Sequence, residues 1–303
     1  SEYYTDPAYY ERERRQLLGP SWQVVTHESA LLREGSAPAT FVAETIAGFP
    51  CIIVRNSETG VVSGHLNICR HRGGPMEWDG TKGACKLKGF TCKYHGWTYG
   101  LDGKLKGLPH FGDQSKVDKK NLSLWPIRVA RWRGLIFAQM LPNAAVGAGA
   151  MFGPEADQAF REENEGFCSR MEEIPLEKYK YHSEATHKLA CNWKVYVENY
   201  MEGYHIPNMH PELNKMVNMN EYVVEVMMQD WCGFSVAFVQ VKDGYCEHIT
   251  SPVPESGTTM SGVWLWLSPS MMINCYGGGM SLERIVPTGP QTCEIRYQYL
   301  FDD

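Results

Sequence analysis

Two short stretches decide how this chain is read: Cys69-Arg70-His71-Arg72-Gly73-Gly74-Pro75 and Cys92-Lys93-Tyr94-His95-Gly96-Trp97. Each arm offers one thiolate and one imidazole. A zinc ion could take all four groups in a tetrahedron. A [2Fe–2S] cluster with two Cys on one iron and two His on the other uses the same set. Cys-x-His and Cys-x-x-His arms suit the cluster, because each loop must send its sulfur to one iron and its imidazole to the other. The flanking glycines permit tight turns and let backbone N–H groups approach sulfur. Cys69, His71, Cys92 and His95 are the candidate ligands in either case.

Around these arms, from Trp22 to about Met140, short apolar runs alternate with turn residues. Gln23-Val24-Val25, Cys51-Ile52-Ile53-Val54 and Gly134-Leu135-Ile136-Phe137 are examples, and the texture predicts a small all-β domain. Trp78 to Lys86 reads as a loop between the arms, and Asp113 to Asn121 as a solvated loop. Upstream, Asp6-Pro7 supplies a helix N-cap followed by proline at the first helical position. A helix over Ala8 to Leu18 follows, with Gly19 as its stop.

Downstream, the small-residue run Asn143 to Gly149 reads as a domain boundary, and Glu155 to Glu165 as a short helix. Leu176 to Lys188 reads as a strand and Asn192 to Tyr204 as a helix. Further strands are expected over Tyr222–Met227, Phe234–Val239, Val263–Leu267, Met271–Tyr276 and Glu294–Phe301. The fold class is α+β: an all-β domain, then helices packed on an antiparallel sheet. The expected division is a leading helix and strand over 1–36, the cluster domain over 37–150 and a second domain over 151–303.

The first helix-breaking stretch of that second domain holds another constellation. It runs Glu198-Asn199-Tyr200-Met201-Glu202-Gly203-Tyr204-His205-Ile206-Pro207-Asn208-Met209-His210-Pro211. On a helix, Glu202 and His205 would share a face. Pro207 would break the hydrogen-bond ladder, so the chain could turn and bring His210 beside His205. Two neutral imidazoles and a carboxylate make the facial triad of mononuclear non-haem iron(II), with positions left for O2 and substrate. A His pair at this spacing is by itself a weak signal.

Composition narrows the function classes. The 303 residues are 43% hydrophobic and 21% charged, enough for sizeable cores and wrong for a disordered chain. The net charge of −6 argues against a broad nucleic-acid-binding face. No apolar run is long enough to span a membrane, and the first residues lack a signal-peptide pattern. Ten cysteines without an export signal fit a reduced, cytoplasmic setting with metal binding. Outside the two arms, Cys85 and the remaining cysteines show no ligand spacing and read as small buried hydrophobes.

The paired arms closely resemble the Rieske motif of the Rieske non-haem iron oxygenases, and Glu202 to His210 is similar to the iron-binding motif of their α subunits. The inter-arm gap is a few residues longer than is usual there. The resemblance covers essentially the whole chain. It implies a Rieske [2Fe–2S] cluster on Cys69, His71, Cys92 and His95, and a mononuclear Fe(II) on His205 and His210. It also implies a homotrimer in which His95 of one subunit hydrogen-bonds Glu202 of the next, carrying electrons between subunits. Asn199 matches a position near the iron; capping of the helix bend is an equal alternative. Glu202 with its Glu-Gly-Tyr-His flank looks most like the carnitine, choline and glycine-betaine monooxygenase branch. The family's third iron ligand is a carboxylate on a late helix. Glu294 to Phe301 alternates like a strand instead and the chain stops at Asp303, so that ligand is expected beyond it.

The expected activity is oxygenation of a small organic substrate with O2 and two electrons, at a carbon next to a quaternary nitrogen. Trp231, Phe238, Trp264, Trp266, Asn274 and Tyr276 are candidates for the pocket, where aromatic faces would hold a cation. Ordinary core packing is the plainer role for each of them. A ring-hydroxylating oxygenase of an aromatic acid is the rival within the class. A Rieske electron carrier without catalytic iron is the rival outside it. No dinucleotide-binding glycine pattern follows a strand, so a separate flavin- and iron–sulfur-containing reductase is the expected electron source.

Overall fold

The computed structural model describes residues 2–32, 37–140, 151–172, 174–229, 232–242, 262–276 and 278–302. It opens with helices α1 (Glu2–Thr5) and α2 (Pro7–Glu13), the latter continuing as a π-helical turn over Arg14–Leu18. Asp6 caps α2, its carboxylate accepting from the Ala8 N–H, with Pro7 in the first turn as expected.

The first half is built from β1 (Gln23–His27), β2 (Ala39–Ile46), β3 (Phe49–Asn56), β4 (Val62–Leu66), β5 (Thr81–Ala84), β6 (Gly89–Thr91), β7 (Thr98–Gly100), β8 (Leu105–Gly107), β9 (Pro126–Trp132) and β10 (Leu135–Gln139). Seven of these form one antiparallel sheet in the order β1-β10-β9-β4-β3-β2-β5. The other three, β6-β7-β8, form a small sheet beside it. The stretch Trp78 to Lys86, expected as a loop, contains β5, which pairs with β2 at the sheet edge. Edge pairing satisfies one side of that backbone and leaves the other to solvent, so little apolar patterning marks it.

The second half contains α3 (Pro154–Glu163), α4 (Glu165–Arg170), β11 (Lys180–Leu189), α5 (Trp193–Tyr200), α6 (Ile206–Met209), α7 (Pro211–Met216), β12 (Val223–Gln229), β13 (Cys232–Val239), β14 (Gly262–Leu267), β15 (Met271–Tyr276), β16 (Gly279–Gly289) and β17 (Thr292–Phe301). The strands make one antiparallel sheet, β11-β17-β16-β15-β14-β13-β12. The α+β architecture is thus as expected. The run Asn143 to Gly149 lies outside the described residues. Strand β16 was not foreseen: its central Glu283 and Arg284 are both buried, and two charges side by side hide an apolar strand from any hydropathy reading.

Alternation on β14 divides the packing of this sheet. Val263, Leu265 and Leu267 face a core that also takes Val24 and Phe137 from the first sheet, Trp22 just before it, and Phe160 and Phe167 from α3 and α4. This core joins the two halves. Burial of each such side chain stabilises by about 1.5–3 kcal/mol. Trp264 and Trp266 share the opposite face, as their spacing required. There Trp266 packs with Trp193 and Val197 of α5, and Trp264 with Ile206 and Val217. Helices α5 and α6, which flank the turn bearing Glu202 and His205, therefore rest on a tryptophan-rich sheet face.

Candidate metal centres

Each Cys/His arm is a closed turn. The Cys69 N–H donates to the Gly74 carbonyl and the Gly73 N–H returns to the Cys69 carbonyl, both at 2.9 Å. In the second arm, the Cys92 N–H reaches the Trp97 carbonyl at 2.8 Å and the Gly96 N–H the Cys92 carbonyl at 3.1 Å. Gly73 and Gly96 sit at φ of 77° and 73°, the left-handed region that a side chain resists. The Lys93 N–H donates to the Pro75 carbonyl and ties the two loops together.

This geometry brings Cys69, His71, Cys92 and His95 to one end of the domain. Both sulfurs are buried, whereas both imidazoles are exposed, their ring centres 4.7 Å apart. His71 stacks on Trp97 at 4.7 Å, and Tyr94 lies 3.7 Å from His95. Tyr99 was not singled out from sequence, yet its hydroxyl lies 3.2 Å from Cys69 Sγ and accepts the Arg70 N–H at 3.1 Å. Burial pushes the Tyr99 phenol well above its ordinary value, so it keeps its proton and serves as the donor to sulfur. A Cβ added at Gly74 would lie 2.9 Å from Cys92 Sγ, so only glycine leaves room there. Buried sulfurs, outward imidazoles and a glycine-lined cradle fit a two-iron cluster. Among the described residues no three His, Cys, Asp or Glu side chains converge as a single metal site, whereas each iron of such a cluster asks for only two protein ligands.

The second constellation is reached by a different local path from the one expected. Helix α5, capped by the Asn192 carboxamide oxygen on the Lys194 N–H, ends at Tyr200. Glu202 and His205 are therefore not on a helix but in the turn after it. Pro207 does not break a helix either; it occupies the first turn of α6, where its missing N–H costs nothing. The break lies at residues 201–205, and the short helices α6 and α7 meet at His210.

The turn still sets Glu202 against His205 and His205 beside His210. The Glu202 carboxylate accepts from the Tyr204 N–H, from the His205 N–H at 3.2 Å and from His205 Nδ1 at 2.5 Å. Desolvation raises the Glu202 carboxyl, but the His205 and Tyr204 hydrogen bonds outweigh it and hold it below its ordinary value. With Nδ1 engaged, Nε2 of His205 is the nitrogen free for a metal. The His205 and His210 rings are 5.0 Å apart and nearly perpendicular, a fit for two imidazoles on one ion. No further carboxylate joins them among the described residues. Asn199 is exposed on the last turn of α5.

Of the substrate-pocket candidates, Trp264, Asn274 and Tyr276 share the helix-facing side of the sheet, and Trp264 Nε1 donates to the Tyr276 hydroxyl at 2.8 Å. Phe238 does not: it points to the core between the two halves, because its cross-strand partner is the inward Val263. Trp231 lies outside the described residues. Asn274 is engaged in a buried network. Its Nδ2 donates to Glu283 Oε1 at 2.5 Å and to Ser281 Oγ at 3.0 Å, and its Oδ1 accepts from the Tyr200 hydroxyl at 2.9 Å. The Tyr196 hydroxyl donates to Glu283 Oε2 at 3.0 Å. Burial raises the Glu283 carboxyl. Tyr196 and Tyr200 are four apart on α5, so this network fastens the helix that leads to Glu202. Tyr222 was also missed. Its ring fills the space where Gly203 has no side chain and lies 5.9 Å from Trp264, linking the turn to the sheet. The paired Tyr196/Tyr200 spacing could have signalled the network; nothing local signals Tyr222.

Residues 21–122 match the Rieske [2Fe–2S] domain, and residues 176–303 match the ring hydroxylating alpha subunit (catalytic domain). The chain belongs to the Rieske non-haem iron oxygenase α subunits, which carry a Rieske cluster and a mononuclear iron. Among its relatives, the chloroplastic choline monooxygenase of Beta vulgaris is 24% identical over 307 residues, covering 100% of this chain and 62% of that protein. The carnitine monooxygenase oxygenase subunit of Acinetobacter pittii is 29% identical over 304 residues, covering 99% of this chain and 71% of that protein. The chain thus spans less than two thirds of the length of the Beta vulgaris enzyme.

In fold, the chain resembles the quaternary ammonium Rieske monooxygenase CntA in complex with L-carnitine, with a TM-score of 0.76 at 23% identity, covering 100% of this chain and 74% of that one. It also resembles naphthalene 1,2-dioxygenase from Rhodococcus sp., with a TM-score of 0.77 at 21% identity, covering 99% of this chain and 72% of that one. Among the described residues no helix is long and apolar enough to cross a membrane.

Proposed function

We propose that this chain oxygenates a quaternary ammonium compound, acting as the oxygenase component of a monooxygenase. The observation that carries the reading is the Glu202–His205–His210 turn seated on the sheet face of Trp264 and Tyr276, in the same chain as the Cys/His cradle. When bound, the cluster supplies electrons one at a time and the mononuclear iron supplies the place where O2 is reduced. The chain's own residues do the rest. Cys69 and Cys92 would hold one iron of the cluster, and His71 and His95 the other. Glu202 fixes the orientation of His205 through Nδ1 and leaves Nε2 to the iron. The aromatic face of Trp264 and Tyr276 suits a cation without a hydrogen-bonding head group.

In the proposed reaction O2, two electrons and two protons convert a carbon next to the quaternary nitrogen to its alcohol, with one water released. The resulting hemiaminal-like product then breaks its C–N bond to give a tertiary amine, an aldehyde and a proton. The names of the choline and carnitine monooxygenase relatives support this substrate class. The fold does not choose between it and an aromatic substrate, since a naphthalene dioxygenase is matched as well as CntA. The electrons come from a separate reductase. His95 of one subunit would deliver them across the interface of a homotrimer to Glu202 of the next, a path that fits an exposed His95 and a partly exposed Glu202 side chain.

The test is iron and acid-labile sulfide per chain on anaerobically purified protein, followed by O2 uptake with quaternary ammonium and aromatic-acid panels. About three irons to two sulfides and uptake with the ammonium panel are expected. About two irons to two sulfides, with no substrate-dependent uptake, would leave only an electron carrier.

A further inference from the structure

We propose that Cys191 and Cys293 form a thiol–disulfide site that closes on exposure to a low-molecular-weight disulfide. Cys191 lies between the end of β11 and the Asn192 cap of α5. Cys293 is the second residue of β17, opposite Leu189 in the β11–β17 pairing. Two residues past Leu189 the chain bends, which returns Cys191 toward Cys293. The two side chains pack in one cluster, and the Cys191 thiol is among the groups that act electrostatically on Cys293. Cys191 is half-buried, whereas Cys293 is 1% exposed.

The exposure difference sets the order of events. Burial pushes the Cys293 thiol up to about 12, so it does not start the exchange. The Cys191 thiolate attacks the external disulfide, forms a mixed disulfide and releases one thiolate. Cys293, on losing its proton, then attacks the Cys191 sulfur, forms the intramolecular bond and releases the second thiolate. The two cysteines lose two electrons and two protons; the external disulfide gains the two electrons as two thiols. The new bond joins the root of α5 to the β16–β17 hairpin. The Asn192 side chain already holds the same hairpin by donating to the Pro290 carbonyl at 2.6 Å. Oxidation would therefore make permanent a contact that the reduced protein holds by hydrogen bonding, at the end of the helix remote from Glu202.

The experiment incubates the anaerobic holoenzyme with oxidised glutathione and maps its peptides without reduction. The expected product is a cross-linked peptide pair containing Cys191 and Cys293, formed after a transient glutathione adduct on Cys191. It should be absent in Cys191→Ser and reversed by dithiothreitol. The wild-type unfolding midpoint should rise on oxidation, because the bond closes a long loop of the unfolded chain, and that of Cys191→Ser should not. In Cys293→Ala the Cys191 adduct should accumulate without resolving. A stable adduct on wild-type Cys191, or no modification at all while the cluster spectrum stays intact, would overturn the proposal.

Discussion

The Tyr99 hydroxyl lies 3.2 Å from Cys69 Sγ, at the buried end of the Cys/His cradle. Because the phenol keeps its proton, it stabilises negative charge on that sulfur. A reduced cluster carries one more negative charge than an oxidised one, so the bond favours the reduced form. Tyr99→Phe should therefore lower the midpoint potential of the cluster while its iron and sulfide content stay unchanged. Voltammetry of the purified variant measures this directly; an unchanged or raised potential would refute the assignment.

Glu202 holds His205 through Nδ1 and through two backbone N–H groups of the same turn. Glu202→Gln keeps an acceptor for Nδ1 but removes the charge that favours the bound tautomer. Affinity of the second site for iron should fall about 10- to 100-fold, the usual effect of losing a group that supports a metal-bound histidine. The cluster should still be reduced by dithionite, and substrate-dependent O2 uptake should be lost. Full turnover with normal iron occupancy would show that Glu202 supports neither the iron nor electron delivery.

The parts of both centres that were legible in the sequence are those whose chemistry fits inside a few residues. Each Cys/His arm closes on its own backbone, so its motif carries its geometry. The side shared by Trp264 and Trp266 followed from strand alternation alone. Phe238 was misplaced because its own strand could not say which face met the helices; the cross-strand pairing with Val263 decides that. Glu202 and His205 were paired for the wrong local reason, since helical spacing and this turn both bring residues three apart together. Tyr99 and Tyr222 act through partners distant in the chain, and no local pattern marks them.

Gly74 faces Cys92 Sγ at 2.9 Å and Tyr94 Cβ at 2.8 Å from where a Cβ would stand. Gly74→Ala must push the second arm away from the first, an overpacking cost of about 1–3 kcal/mol. That cost falls on the loops and not on the core joining the two halves. Visible absorbance and sulfide per chain should drop while the far-ultraviolet circular dichroism stays that of the wild type. A fully loaded cluster in this variant would mean that the cradle tolerates a methyl group.

Two buried histidines should make the protein sensitive to mild acid. His27 is held down to about 4 by burial, with its Nδ1 against the Ser29 hydroxyl at 2.8 Å. His65 is likewise held down to about 4 by burial, packed against Gly103. Between the ordinary histidine value of 6.5 and about 4, the unfolded chain binds these two protons and the folded chain does not. Stability is therefore complete above 6.5 and is lost as the pH falls toward about 4. The loss is on the order of 3 kcal/mol at most for each group, at 1.36 kcal/mol per unit. His65→Gln has no proton to take up, so at fixed salt its urea midpoint should change less between about pH 7 and about pH 5 than that of the wild type. Comparing the two proteins at both pH values cancels what the metal centres contribute equally to each. Equal shifts in both would place the His65 imidazole in contact with solvent, against its burial here.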